Sequence, residues 1–273
     1  MSSKLAQRLP TVLLYMLALL LAFWTLFPIY LITLGAFSTQ DAIYTYPLQL
    51  WPKHVSGSTL GFFIHSAGTV PSLQRSAYVL LLTMAIAIPV GLPAAYALAR
   101  FGFRGAAALR LSVVSTRAFP IIILAIPLAA TFINWGIDDS ILAVSFLHAA
   151  LALPFVVLTC GSIFSGISVE LEEAAMTLGC TRLSAFVRVL LPLALPGLAA
   201  SAIFVVIISW NEVFAASTVT LLHPTLPAHI VRVLNQATLP YRFAGGFFLL
   251  VPPLLMLFVI RRFLFGMWGQ VVK

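Results

Sequence analysis

The sequence predicts an all-α, polytopic membrane protein. Apolar residues make up 62% of the chain, and the mean hydropathy is +1.09. Only 8% of residues are charged, and several charge-free runs approach or exceed the roughly 20 residues that span a bilayer core. The basic residues lie singly or in pairs at the ends of these runs, not along a polar face. The net charge of +8 is therefore a topology signal; a soluble two-domain protein and a nucleic-acid partner are excluded, and membrane lipid is the expected surrounding. Cys160 and Cys180 are too few and too far apart to frame a disulfide-rich fold, and neither has metal-type spacing around it.

Six spans follow in order: 12–36, 76–99, 112–134, 141–164, 193–220 and 244–263. The first begins after Lys4 and Arg8, as a signal peptide would, but exceeds the about 15 apolar residues of a cleavable signal and reads as an uncleaved span. With the N-terminus in the cytoplasm, Lys4, Arg8, Arg100, Arg104, Arg110, Arg182, Arg188, Arg261, Arg262 and Lys273 fall inside. Lys53, Arg75, Arg232 and Arg242 fall outside, and this bias predicts that both termini are cytoplasmic. The outer segments 37–75, 135–140 and 221–243 are too short for a domain, although the first has room for a surface element. Residues 1–273 read as a single transmembrane domain without internal repeats. Pro28, Pro89, Pro93, Pro120, Pro127, Pro154, Pro252 and Pro253 lie within spans, and each removes a helical hydrogen bond, so kinks are expected.

Between the fourth and fifth spans lies a cytoplasmic segment, 165–192, holding Glu170, Glu172 and Glu173, three of the seven acidic residues. Ser168 is a suitable N-cap, and the glutamates sit where the helix dipole favours negative charge. Leu171, Ala174, Ala175 and Leu178 recur on one face, and Gly179 suits a left-handed cap. A second helix is expected over Thr181 to Leu190, with Arg182 and Arg188 on its polar side and Pro192 ending it. Such a hairpin, with its small-residue face, fits a groove in another protein. An anionic lipid surface would repel its glutamates.

Glu173, Ala174 and Ala175, then Gly179, then Val189, Leu191 and Pro192, resemble the EAA motif of ATP-binding cassette (ABC) importer permeases, with valine in place of the usual isoleucine. Ala94 to Gly105, Thr116 to Leu128, Leu153 to Phe155 and Ile208 to Phe214 extend the resemblance to the carbohydrate branch, in particular the smaller, six-span permease of maltose-type importers. Leu178 stands where many sugar permeases carry an acidic residue, and the tail GMWGQVVK matches theirs only loosely. The resemblance implies a six-helix permease domain with a cytoplasmic coupling helix. Glu173, Ala174, Ala175, Gly179, Leu191 and Pro192 would then be the residues that couple it to an ATPase. It also implies a second homologous permease subunit, two ATPase subunits that bind ATP and Mg, an extracytoplasmic solute-binding protein and a location in the bacterial inner or plasma membrane. No cofactor is expected in this chain.

Ionisable groups at membrane depth usually face a bundle interior or a cavity. Trp210, Asn211 and Glu212 are candidates to line a solute path, since an indole stacks on a sugar ring while amide and carboxylate bond its hydroxyls. The same trio would also serve as interhelical packing with a polar clamp. Arg117, in the third span, lies about 14 Å from Glu212 in depth if the helices are unbroken, and suits snorkelling or an interhelical bond as well as the path. His148 is expected to make one local hydrogen bond, and His223 and His229 lack ligand spacing. No Walker sequence or nucleophile–base pair appears, so ATP hydrolysis is expected on a separate subunit. The favoured solute is a sugar or sugar-like compound; a polyol, a glycerophosphate-like compound or a polyamine is the alternative. An ion-coupled secondary transporter would need midplane carboxylates on repeated broken helices, and would leave the EAA segment without a role.

Overall fold

The computed structural model describes residues 2–47, 49–51 and 54–271. Lys53 and Lys273, which enter the orientation argument, lie outside them. Among the described residues the chain is helical nearly throughout and has no strand. It begins with α1 (Ser2–Ala36), the short helices α2 (Gln40–Ile43) and α3 (Ser58–His65), and α4 (Thr69–Arg100). Next, α5 (Ala106–Ser115) runs into a 3-10 turn, Thr116–Ala118, before α6 (Ile121–Asn134) and α7 (Ile141–Gly166). There follow α8 (Val169–Thr177) and α9 (Arg182–Ala185), a π-turn over Phe186–Leu190, and α10 (Leu191–Leu193). The chain then forms α11 (Leu195–Asn211), α12 (Phe214–Val219), α13 (Leu226–Val233) and α14 (Leu239–Val271).

Thr11–Ala36, Thr69–Arg100, Ile141–Gly166 and Leu239–Val259 are each long and apolar enough to cross a membrane. Two bent pairs raise the number of candidate spans to six if each pair is one crossing. Neither of those two crossings is the continuous helix the sequence suggested. The third expected span, 112–134, breaks at Phe119–Pro120, and its halves meet at 97°. Phe119 is extended, with φ −79° and ψ 125°, because the ring of Pro120 disfavours helical backbone in the residue before it.

The fifth expected span, 193–220, is bent by 77° between Leu193 and Gly197, ends as α11 at Asn211, goes extended at Glu212 and restarts as α12. Contrary to expectation, Pro192 does not stop the helix before it. The Leu191 amide reaches back to the Phe186 carbonyl, one residue further than in an α-helix, and this π-turn carries the chain past the proline. The other span prolines, Pro28, Pro89, Pro93, Pro127, Pro154, Pro252 and Pro253, lie inside helices without ending them.

The chain divides into two compact units: residues 1–67 with 234–248, and residues 68–233 with 249–273. In the first, Phe63 of α3 is fully buried, with its ring 4.8 Å from that of Tyr241 and 5.2 Å from that of Phe248. Phe37 meets Phe247 edge-on at 5.1 Å, and the Thr59 hydroxyl donates to the Ser38 carbonyl at 2.7 Å. The expected surface element in 37–75 is thus α2 and α3, held to α1.

In the second unit the core is α4 against α7, joined by α11. Ala87, Leu92 and Ala95 pack with Ala149, Ala152, Val156 and Val205. Small residues let these helices approach closely, which is how apolar helices associate where lipid competes for the same surface. A second cluster gathers Val79, Ala125, Phe132, Val144, Ala216 and Val219 around α6, α7 and α12.

At the start of α7, Asp139 has φ +52°, and its carboxylate accepts from the amides of Leu221, Leu222 and His223 at 2.9 to 3.2 Å. The His223 ring adds a bond at 2.7 Å. Arg75 donates to the His223 carbonyl at 2.6 Å and Arg232 to the Leu221 carbonyl at 2.7 Å. Leu221 and Leu222, at the tip of this connection, are 77% and 75% exposed.

The close approach of α4 and α7 is testable at Gly91, where an added Cβ would lie 2.6 Å from Cγ1 of Val156. Gly91→Val is expected to cost about 1–3 kcal/mol through overpacking, read as a lower thermal midpoint in mild detergent. Gly61→Ala in α3, with nothing within 4 Å of the new atom, should leave the midpoint unchanged or raise it slightly.

Candidate functional site

The segment between α7 and α11 folds as the expected helical hairpin. Ser168 caps α8, its hydroxyl accepting from the Glu170 amide at 3.2 Å. Gly179, at φ +94°, ends the helix: its amide donates to the Met176 carbonyl and that of Cys180 to the Ala175 carbonyl, both at 3.0 Å. This paired closure needs a left-handed residue, which explains the glycine. Thr181 caps α9, accepting from the Ser184 amide at 3.2 Å.

The orientation of α8 departs from the expected single apolar face. Leu171, Ala174 and Leu178 are exposed, Leu178 at 87%, and so is Glu173. Ala175 turns inward, and the residue that joins it there is Glu172, only 4% exposed. Contrary to what the acidic cluster suggests, Glu172 therefore does not face water. Its carboxylate accepts from the Tyr96 hydroxyl and lies 3.3 Å from Nε of Arg100, both near the end of α4. Arg100 also donates from Nη2 to the Ile167 carbonyl, just past α7, at 2.8 Å. An acidic residue can face the core because this cation and hydroxyl meet it there. Of the remaining motif residues, Leu191 is half-buried and Pro192 exposed.

The Trp210–Glu212 trio separates. Trp210 is 4% exposed, and its indole nitrogen has no acceptor among the described residues. Asn211 is exposed, its amide bonded to the Ile207 carbonyl of its own helix at 3.2 Å. Glu212 turns inward at the break between α11 and α12, where its two oxygens accept from the Ala215 and Ala216 amides at 2.9 and 2.8 Å. Nε2 of His148, from α7, lies 3.3 Å from the same carboxylate. His148 is fully buried, and its other nitrogen is 3.1 Å from the Ser209 hydroxyl, which reaches Thr83 of α4 at 3.5 Å. The expectation of a single local bond for His148 is thus replaced by two long-range ones.

Arg117 lies in the 3-10 turn before the Pro120 break, exposed, with its guanidinium 4.0 Å from the centroid of the Phe155 ring. Phe155 in turn stacks on Phe204 of α11 at 5.5 Å. No group of three or more metal-ligating side chains occurs among the described residues. Sequence reasoning missed Tyr96, Arg100, Ser209 and Thr83. Arg100 reads only as a topology marker, and the three hydroxyls carry no signal in an apolar run.

Six candidate crossings, broken helices and a helical hairpin between the fourth and fifth crossings define a multi-pass membrane protein. Residues 87–268 match the model of the binding-protein-dependent transport system inner membrane component, and the chain belongs to this family. It is an ABC transporter permease subunit, a multi-pass membrane transport component. A putative ABC transporter permease protein of Streptomyces antibioticus is 33% identical over 205 residues, covering 73% of this chain and 89% of that one. The trehalose transport system permease protein of Mycobacterium tuberculosis is 30% identical, with 71% and 73% covered. The sulfoquinovosyl glycerol transport system permease protein of Agrobacterium fabrum is also 30% identical, with 70% and 67% covered. Among solved structures, a chain of a bacterial ABC transporter involved in the import of the acidic polysaccharide alginate superposes with a TM-score of 0.72, covering 94% of this chain and 96% of that one. At 19% identity that likeness is one of fold.

Removing the Glu212 carboxylate should unfasten the break in the fifth crossing. Glu212→Ala leaves His148 buried without one partner, at about 1–3 kcal/mol, and removes the cap of α12, at about 0.5–2 kcal/mol. Glu212→Gln retains an acceptor, so its thermal midpoint in detergent should fall between those of wild type and the alanine variant.

Proposed function

We propose that this chain is the permease subunit of an ATP-driven importer that carries a sugar or sugar-like solute across the bacterial inner or plasma membrane by alternating access. It acts as one transmembrane permease domain over residues 1–273, with both termini cytoplasmic. Beside it stand a second homologous permease and two ATPase subunits that hold ATP and Mg, and an extracytoplasmic solute-binding protein delivers the solute. The observation that carries this reading is the α8 hairpin: a capped surface helix whose outward side presents Glu173, Ala174 and Leu178 while its inward side is pinned to α4. An exposed edge of small and apolar residues flanked by a carboxylate suits insertion into a cleft of an ATPase. The sugar assignment rests on the relatives named for trehalose and sulfoquinovosyl glycerol.

Closure of the ATPase pair on ATP would move the hairpins, and the broken crossings would redistribute between outward and inward forms. Solute and nucleotide shift that balance only through different affinities for the two forms. Arg117 and the Trp210–Glu212 trio border this pathway in the proposal. Asn211 is the member of the trio open to a solute, and Glu212 acts with His148 as the clamp that shapes the gate.

A chain tagged at its N-terminus and extracted from its host in mild detergent should bring with it an ATPase subunit at about two copies per complex and a second permease, identified by mass spectrometry. Recovery of the chain alone or as a homodimer would overturn the proposal. Gly179→Asp places a side chain at φ +94°, and Glu173→Lys reverses an exposed charge. Each is expected to abolish uptake, assayed with radiolabelled disaccharides beginning with trehalose, while membrane insertion stays normal.

A further inference from the structure

We infer that Glu172, held by Tyr96 and Arg100, is the joint through which movement of α8 reaches the membrane helices α4 and α7; this rests on the reading of the hairpin as the ATPase-docking element. The hairpin has two routes for passing on a displacement. One runs along the chain, through the Ile167–Ser168 linker at one end and the π-turn at the other. The first leaves helical geometry at Ile167, with ψ 131°, and the second closes one residue wider than an α-helix.

The other route runs across side chains. Glu172 is 4% exposed, and it joins the only hydroxyl and the only guanidinium that α4 places within bonding distance of α8 among the described residues. Arg100 is shared with the Ile167 carbonyl, so one side chain ties the ends of α4 and α7 to the middle of α8. Around this polar centre stands an aromatic collar. The Tyr96 ring lies 4.7 Å from Phe186, 5.5 Å from Phe101 and 6.0 Å from Phe164, and the Arg182 guanidinium sits 5.2 Å from the Phe101 ring.

The collar excludes water, which strengthens the enclosed ion pair, and it draws in the π-turn and α9. The Tyr96 hydroxyl bond is directional and the ion pair beside it is closed to water, so a shift of α8 carries the end of α4 with it. Glu172 and Glu173, adjacent in sequence, thereby take separate tasks: Glu173 faces the partner and Glu172 holds the membrane helix.

The test uses the complex purified from its host and reconstituted in liposomes, with a fluorescent maleimide at Phe103→Cys, exposed just past the end of α4, in a Cys180→Ser background. Addition of ATP and vanadate is expected to shift the emission of the label in the otherwise wild-type complex. In Glu172→Gln the ATPase subunits should remain bound at their usual ratio while the shift falls at least fivefold. Tyr96→Phe, which removes one hydroxyl and keeps the ring, should give an intermediate loss. The double variant should be no worse than Glu172→Gln, since both changes break the same contact.

An unchanged shift in Glu172→Gln and Tyr96→Phe would overturn the inference. Loss of the ATPase subunits from Glu172→Gln, as in Gly179→Asp, would also overturn it by making Glu172 part of docking itself. A wild-type preparation without any ATPase would instead remove the functional reading on which the joint rests.

Discussion

A helix inside hydrocarbon can be interrupted only where something replaces the backbone hydrogen bonds it gives up, and much of this chain follows from that constraint. Two of its six candidate crossings are bent, at Phe119–Pro120 and between Leu193 and Gly197, and the fifth is interrupted again at Glu212. At Phe119–Pro120 the proline contributes no amide to satisfy, so the break leaves one donor fewer. At Glu212 the amides of a new helix do need acceptors, and one carboxylate meets two of them. His148, Ser209 and Thr83 then connect that carboxylate to α7 and α4, so the interruption is fixed to the unbroken helices beside it.

The same economy governs the few acidic side chains of a chain that has seven. Asp139, Glu172 and Glu212 each stand where separate elements meet, and each collects several donors. Glu170 and Glu173 remain outward on α8, open to water. Burial of a carboxylate is tolerable only with donors in place. Placing one at a junction therefore fixes the geometry of several segments at once.

Much of this was legible in the sequence. The apolar runs gave helices at nearly the expected places, and Ser168 and Gly179 announced the ends of α8 through capping chemistry that depends only on neighbouring residues. The direction in which α8 faces was not legible. Periodicity placed Leu171, Ala174, Ala175 and Leu178 together, but the partners that decide the matter, Tyr96 and Arg100, lie more than seventy residues earlier. The break at Pro120 was signalled by the proline, whereas the one at Glu212 carries no breaker and depends on His148, sixty-four residues away. Local chemistry is written in local sequence; long-range pairing of single polar residues in an apolar background leaves no periodic trace.

The Asp139 carboxylate has a consequence beyond its own connection. Because it grips the backbone amides of Leu221, Leu222 and His223, the course of that loop is set largely by main-chain atoms, which every residue type supplies. The exposed side chains of Leu221 and Leu222 contribute little to holding it. Evolution can therefore rewrite what the tip displays without redesigning the support beneath it, so that new recognition chemistry can arise on an old scaffold.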